Sequence, residues 1–593
     1  MRSAFGNVLN RPLGWLLALS LMATPGLAQQ ASDAQAPEAP SAIAAEAKSV
    51  TAKNWMVATA NPFATRAGAA ALRNGGNAID ALVAAQAVLG LVEPQSSGLG
   101  GGAFLVYWDA AAGKLTTFDG RETAPRAATP TLFQDAKGEP LKFMSAVVGG
   151  RSVGTPGLPR LLDFVHRRYG HIAWAHLFRP AVRLAEDGFP VSPRLSKLIA
   201  EDAETLKANP VTAAYFFDDK GAPLAAGTTL KNPAYGDTLR QMARYGSAAF
   251  YRGPVARDIV RTVRGASGNP GVLTLEDLRA YRVKERAPVC GDYRGLDVCG
   301  MGPPSSGALT VGQILGMLNS YDLKALGPDS PESWRLIADA SRLAFADRDR
   351  YMADQDYVPM PTKGLLAPDY LKSRAELLRG DDALPEVAPG TPTWSHAMLA
   401  PKRANDESIE LPSTTQITIV DKAGNVASMT SSIEAGFGSR LMVRGFLLNN
   451  ELTDFSFRSQ RDGVPIANRV EPGKRPRSSM APTIVMKDGK PLLALGSPGG
   501  SQIIGYVAKT LIAHLDWGMD LPAAIAAPNV LARFNEVEVE QGTPAEALAP
   551  KLTALGYKVK TAPMTSGVQA VLIGPDGLTG AADPRREGAV IGE

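Results

Sequence analysis

Two adjacent hydroxyl side chains, Thr414 and Thr415, stand between a Pro-bearing lead-in, Leu411-Pro-Ser413, and the run Gln416-Ile-Thr-Ile-Val420. The plain reading is strand propensity, since β-branched residues suit a pleated, buried surface. The chemical reading starts from a hydroxyl nucleophile, which needs a base. The chain has only five histidines, none in a nucleophile motif. His166, His171 and His176 are spaced by five, scatter around a helix and miss the His-Glu-x-x-His zinc spacing. They read as ordinary surface or core histidines. A threonine that becomes the first residue of a chain carries its own base, the α-amine. An unperturbed α-amine has a pKa of about 7.7–8.0, which suits general base catalysis near neutrality. Such a terminus has to be made by cleavage.

The elements that position this pair follow from local pattern. Thr415–Val420 reads as a strand, Asp421-Lys-Ala-Gly-Asn425 as a turn and Val426–Ile433 as the returning strand. Gly499-Gly500 precede a helical stretch, Ser501–His514, whose first backbone N–H groups are oriented for an anion. The alternative there is a tight strand-to-helix turn. Arg121 follows a strand, Lys114–Phe118. It reads either as a surface arginine paired with Glu122 or Asp119, or as a guanidinium fork for a substrate carboxylate. Lys474, Arg475 and Arg477 alone read as a solvated basic loop.

Gly436-Phe-Gly-Ser439, Leu447–Phe455, Lys474–Met480 and Gly496–Ser501 come in that order after the threonine pair. In this the chain resembles the γ-glutamyltransferase (glutathione hydrolase) family of N-terminal-nucleophile enzymes, from about Val50 to the C-terminus. The resemblance implies a four-layer αββα sandwich. It also implies self-cleavage into a large piece, 51–413, and a small catalytic piece, 414–593, with Thr414 the nucleophile. Ser432 falls where the family has a supporting threonine, and Gly499 and Gly500 match its oxyanion-binding glycine pair. Arg121 matches the arginine that grips the substrate α-carboxylate, with Ser478 and Ser479 the accompanying serine pair. Glu451 and Asp454 match the residues that hold the α-amino group, as carboxylates facing an ammonium should. The activity implied is γ-glutamyl hydrolysis and transfer without a cofactor. The donor would be glutathione or a relative, the acceptor water or an amine or peptide. A sister acylase acting on cephalosporin-type amides and an uncleaved exported binding protein are the rival readings.

Two departures bear on this. Glu434 stands where the family's amino-group site commonly has asparagine, and a third carboxylate near Glu451 and Asp454 would perturb their titration. The Ser456–Arg477 segment is shorter than a full family lid and has no tyrosine, which leads us to expect an open site.

The composition is globular, 45% hydrophobic and 20% charged, with a formal net charge of +4. That is too close to neutral to suggest nucleic acid or an anionic membrane as partner. Arg2 and Arg11, an apolar Pro12–Met22 and small residues at Gly26-Leu-Ala28 read as an export signal over residues 1–28. We therefore expect a periplasmic or secreted protein. Residues 29–50, rich in Ala, Pro, Gln and Glu, read as a disordered tether. Arg294-Gly295 forms a two-residue hairpin turn that sets Cys290 directly opposite Cys299, where a disulfide is feasible. Two buried free thiols are the alternative.

Elsewhere, Met56–Ala60 and Ala103–Trp108 read as strands, and Ala64–Arg73 and Ala78–Leu91 as helices joined at Gly75-Gly76. The second helix is apolar nearly all round, so it should be buried. The glycine run Ser97–Gly102 lets backbone approach a ligand, but lacks the Gly-Lys-Ser/Thr of a phosphate loop. Residues 150–410 read as mostly helical, with amphipathic helices over Gln313–Leu318 and Ser333–Ala346. Pro303–Gly307 resembles a family loop near the active site. Asp381–Leu411 reads as a flexible, Pro-rich approach to the threonines.

Overall fold

The computed structural model describes residues 47–394, 401–534 and 536–593. The export-signal segment 1–28 lies outside them. Two seven-stranded sheets stack face to face. One runs, edge to edge, Ala589–Gly592, Met56–Thr59, Thr415–Val420, Val426–Ser432, Gly102–Asp109, Lys114–Gly120 and Lys284–Arg286. The other runs Lys48–Ala52, Gly577–Ala582, Gln569–Gly574, Lys490–Gly496, Thr483–Lys487, Leu296–Gly300 and Val289–Tyr293. All pairings within the two are antiparallel.

The period of two in Thr415–Val420 assigns its faces. Ile417 and Ile419 pack under the helices Pro62–Arg73 and Ala78–Val92, in one core with Val57, Leu105 and Met429. Val420 points the other way and meets Trp108, Ile484, Val571 and Leu578 between the sheets. On the far face of the second sheet, Val485, Leu493 and Ala570 pack on Gly307–Leu318, Pro331–Tyr351 and Ile503–Leu515. The result is the expected αββα sandwich.

Near the threonines the layer between sheets turns polar. Thr418 Oγ1 donates to the Gln569 carbonyl at 2.8 Å, and Ser428 Oγ to the Leu495 carbonyl at 2.9 Å. These bonds tie the two sheets at the end where Thr414 enters. At the other end, Asp421 accepts from the Ala78 N–H at 2.9 Å, which fixes the turn to the start of the buried helix and favours its dipole.

Two expectations need adjusting. Lys48–Val50 are not tether: they begin a strand paired with Gly577–Ala582, because that sheet edge offers unpaired backbone groups. The helix expected as amphipathic over Gln313–Leu318 starts at Gly307 and is buried on nearly every side, being covered by a sheet and by helices. The hairpin keeps the expected register, Cys290 opposite Cys299, and the two sulfurs are bonded.

Candidate active site

Thr414 is buried and precedes the first residue of a central strand. Its φ is +85°, a region where a β-branched side chain crowds its own backbone at a cost of about 1–3 kcal/mol. The surrounding groups hold it there. The Ser413 carbonyl accepts from the Gly499 N–H at 3.2 Å, and the Thr414 carbonyl from Arg586 Nη1 at 3.1 Å. Ser413 Oγ donates to the Gln95 carbonyl at 2.9 Å. The Thr414 hydroxyl lies 3.1 Å from Ser432 Oγ, which also accepts the Glu434 N–H at 2.8 Å. The 413–414 peptide is thus strained, with its carbonyl oxygen on a backbone donor and the adjacent hydroxyl in a hydrogen bond.

Gly499 and Gly500 have φ of +136° and +56°, which glycine adopts without penalty. They open the turn into Ile503–Leu515. A Cβ at Gly500 would meet the Leu411 carbonyl oxygen at 2.6 Å, so the lead-in runs directly against this glycine.

Arg121 is fully buried and pairs with neither Glu122 nor Asp119 through its side chain. Its guanidinium contacts Glu451 and Asp454, and donates to the Pro476 and Arg477 carbonyls at 3.2 and 2.7 Å. Of five guanidinium N–H groups, one on Nη1 remains for a substrate. Glu451 Oε2 and Asp454 Oδ1 are buried without a hydrogen-bond partner; two open acceptor oxygens lining one cavity suit a cation. Glu434 hydrogen-bonds Asn450 and takes the Leu411 N–H at 3.0 Å. Burial pushes its carboxyl up to about 7, helped by the Glu410 charge. Burial, then Glu434, also push Asp454 well above the usual range despite its contact with Arg121.

Ser478 and Ser479 line the same cavity. Ser478 Oγ accepts from the Met480 N–H at 3.1 Å, leaving its proton for a ligand. Ser479 Oγ accepts from Arg348 Nη2 at 2.8 Å. The Pro303–Gly307 loop also reaches the site: Ser306 Oγ donates to the Ser478 carbonyl at 2.8 Å and accepts from Arg348 Nε at 2.9 Å. Every residue singled out for the site therefore gathers around one cavity, apart from Gly499, whose N–H holds the Ser413 carbonyl beside it.

In the uncut chain the cavity is about 20 Å³, and Glu410 and Leu411 are among the residues that line it. Two sequence expectations fail here. The end of the lead-in is not a solvated approach: Asp406, Ser408, Ile409 and Glu410 are all buried. Lys474, Arg475 and Arg477 are no solvated loop. They are buried against Glu471, Asp119 and Asp406 respectively. The residues sequence reasoning missed are Glu410, Arg348 and Arg586; each acts through a partner at least 60 positions away, so no local pattern marks them.

The family model described as gamma-glutamyltranspeptidase matches residues 64–593. The chain is 38% identical over 553 residues to the glutathione hydrolase proenzyme of Bacillus subtilis (strain 168), covering 91% of this chain and 92% of that protein. It is 36% identical over 551 residues to the glutathione hydrolase proenzyme of Escherichia coli (strain K12), covering 90% and 91%. Among solved structures, the cephalosporin acylase from Bacillus halodurans superposes with a TM-score of 0.81 at 29% identity, covering 92% of this chain and 97% of that one. The chain belongs to the gamma-glutamyltranspeptidase family.

Proposed function

We propose that this protein cuts itself between Ser413 and Thr414 and then moves γ-glutamyl groups from donors such as glutathione to water or an amine. In the first step Thr414 Oγ1 attacks the Ser413 carbonyl carbon, and the Gly499 N–H takes the developing oxyanion. The peptide becomes an ester on Thr414, and water opens it. The freed α-amine then serves as base for the same hydroxyl. Thr414 attacks the γ-amide of the donor, the amine leaves, and water or an acceptor amine releases the acyl group.

Glu451 and Asp454 hold the donor's ammonium through their open oxygens. Ser478, Ser479 and the spare Arg121 N–H hold its α-carboxylate. Ser432 orients the nucleophile. The observation that carries the reading is Thr414 itself: a β-branched residue at φ +85°, hydroxyl on Ser432, with the preceding carbonyl on Gly499. The relatives' names as proenzymes support the cut.

Both sheets contain strands from either side of the cut, so pieces 51–413 and 414–593 stay together as one catalyst. The Cys290–Cys299 bond and the export signal support a periplasmic or secreted protein.

The acylase reading is kept for two observations: the likeness to a cephalosporin acylase, and Glu434, whose carboxyl adds charge to the ammonium end of the site. Kinetics on a γ-glutamyl anilide against an acyl cephalosporin decide between them. A higher kcat/KM on the anilide supports γ-glutamyl transfer, and the reverse supports the acylase.

A further inference from the structure

In the uncut chain the substrate cleft is filled by the chain's own lead-in. The Leu411 N–H lies on Glu434 and the Ser413 carbonyl on Gly499. Backbone carbonyls of Glu410 and Leu411 press on Gly500. The Glu410 carboxylate contacts Arg348 and lies 3.9 Å from Arg477 Nε. Arg348 Nη2 also donates to Ser479 Oγ at 2.8 Å, and its Nε to Ser306 Oγ at 2.9 Å. Burial works against a charged Glu410, yet Arg348, Arg477 and the Ser479 hydroxyl outweigh it and hold the carboxyl below its usual range. A carboxylate therefore already sits on one of the two serines expected to bind the donor's carboxylate.

The arginine on the other side is nearly spent. Arg121 gives four of its five N–H groups to Glu451, Asp454 and two backbone carbonyls. A second cation strengthens carboxylate recognition, and Arg348 is the one bound to Ser479. Once Glu410 withdraws, Arg348 keeps Asp349 at 3.3 Å and the two hydroxyls, but loses its principal anion. A buried arginine in that state favours any carboxylate that reaches it.

We propose that Arg348 with Ser479 forms a carboxylate subsite of the mature enzyme, and that Glu410 is its placeholder before and just after the cut. Arg348 then determines specificity for donors that carry an α-carboxylate. The fresh end of the large piece acts as a tethered competitor until such a donor displaces it. This rests on the self-cleavage reading above.

Two experiments test it on wild-type and variant protein already split in two, with splitting read separately on a denaturing gel. The first adds the peptide Ser-Ile-Glu-Leu-Pro-Ser, residues 408–413, to the mature enzyme. It should compete with a γ-glutamyl anilide, and the same peptide with Glu410→Gln should inhibit at least about tenfold more weakly. Equal inhibition by both peptides, or none by either, overturns the proposal. The second compares a γ-glutamyl anilide with a 4-aminobutyryl anilide, which lacks only the α-carboxylate. Arg348→Gln should cut kcat/KM on the first about tenfold or more, through KM, and leave the second unchanged. An equal loss on both donors marks a structural role and overturns the assignment. If no preparation splits, the self-cleavage reading fails instead.

Discussion

Gly500→Ala is the substitution whose effect the geometry specifies most fully. The added methyl would lie 2.6 Å from the Leu411 carbonyl oxygen and 2.8 Å from that of Glu410, where ordinary contact begins at 3.4 Å. Relief requires the lead-in to shift by about 0.8 Å, the difference between 3.4 and 2.6 Å. Pro412 follows Leu411, so the shift passes to Ser413 and draws its carbonyl off the Gly499 N–H. A displacement near 1 Å at a reacting centre costs about a hundredfold in rate. The φ of +56° adds about 1 kcal/mol of backbone strain for alanine. Gly489→Ala separates the two effects: its φ is +75° and nothing lies within 4 Å of the added methyl. The assay is the time course of band splitting after refolding from denaturant. We expect Gly500→Ala to split about a hundredfold more slowly than wild type and Gly489→Ala to match it. Splitting of Gly500→Ala at the wild-type rate would refute the placement of the lead-in against the glycine pair.

Ser432→Ala removes the hydroxyl that partners Thr414 and accepts the Glu434 N–H. Splitting and donor turnover should both slow by about tenfold to a hundredfold, and Ser432→Thr should restore them; no recovery with threonine counts against a hydroxyl role. Burial pushes Glu122, which has no hydrogen-bond partner on either carboxyl oxygen, up to about 8 from a usual 4.5. A raised carboxyl stabilises the fold fully below pH 4.5 and loses that contribution as pH rises through about 8. In an unsplit Thr414→Ala background, Glu122→Gln should therefore gain thermal midpoint relative to its parent from pH 5 to 9, while parallel curves would contradict this. Replacing Cys290 and Cys299 together by alanine should cost about 2 kcal/mol in a urea titration, and unchanged midpoints would show that the bridge adds nothing.

Much of the fold is legible in the sequence because its signals are local. The β-branched Thr415–Val420 run, the Asp421–Asn425 turn, the nearly all-apolar helix 78–92 and the Arg294-Gly295 hairpin each carry their own period or turn residues. Apart from Arg121, the site residues are legible through their order from the threonine pair onward. What could not be read was pairing at long range. Arg477 finds Asp406 and Arg475 finds Asp119, 71 and 356 positions away, and burial of a basic run depends on those acids. The buried end of the lead-in has a related cause. The polar composition of 381–411 suggests solvent, yet Asp406 and Glu410 are drawn inward by Arg477 and Arg348. The left-handed φ of Thr414 has no sequence signature at all, since threonine is a residue that avoids it.

The central claim is that a new amino end at Thr414 supplies both nucleophile and base. Intact-mass and terminal-sequence analysis of the purified, active protein tests it directly. We predict two pieces, the smaller spanning 414–593 and beginning Thr-Thr-Gln-Ile-Thr, and one unsplit, inactive chain for Thr414→Ala. A working catalyst in which Ser413 and Thr414 are still joined would contradict the account.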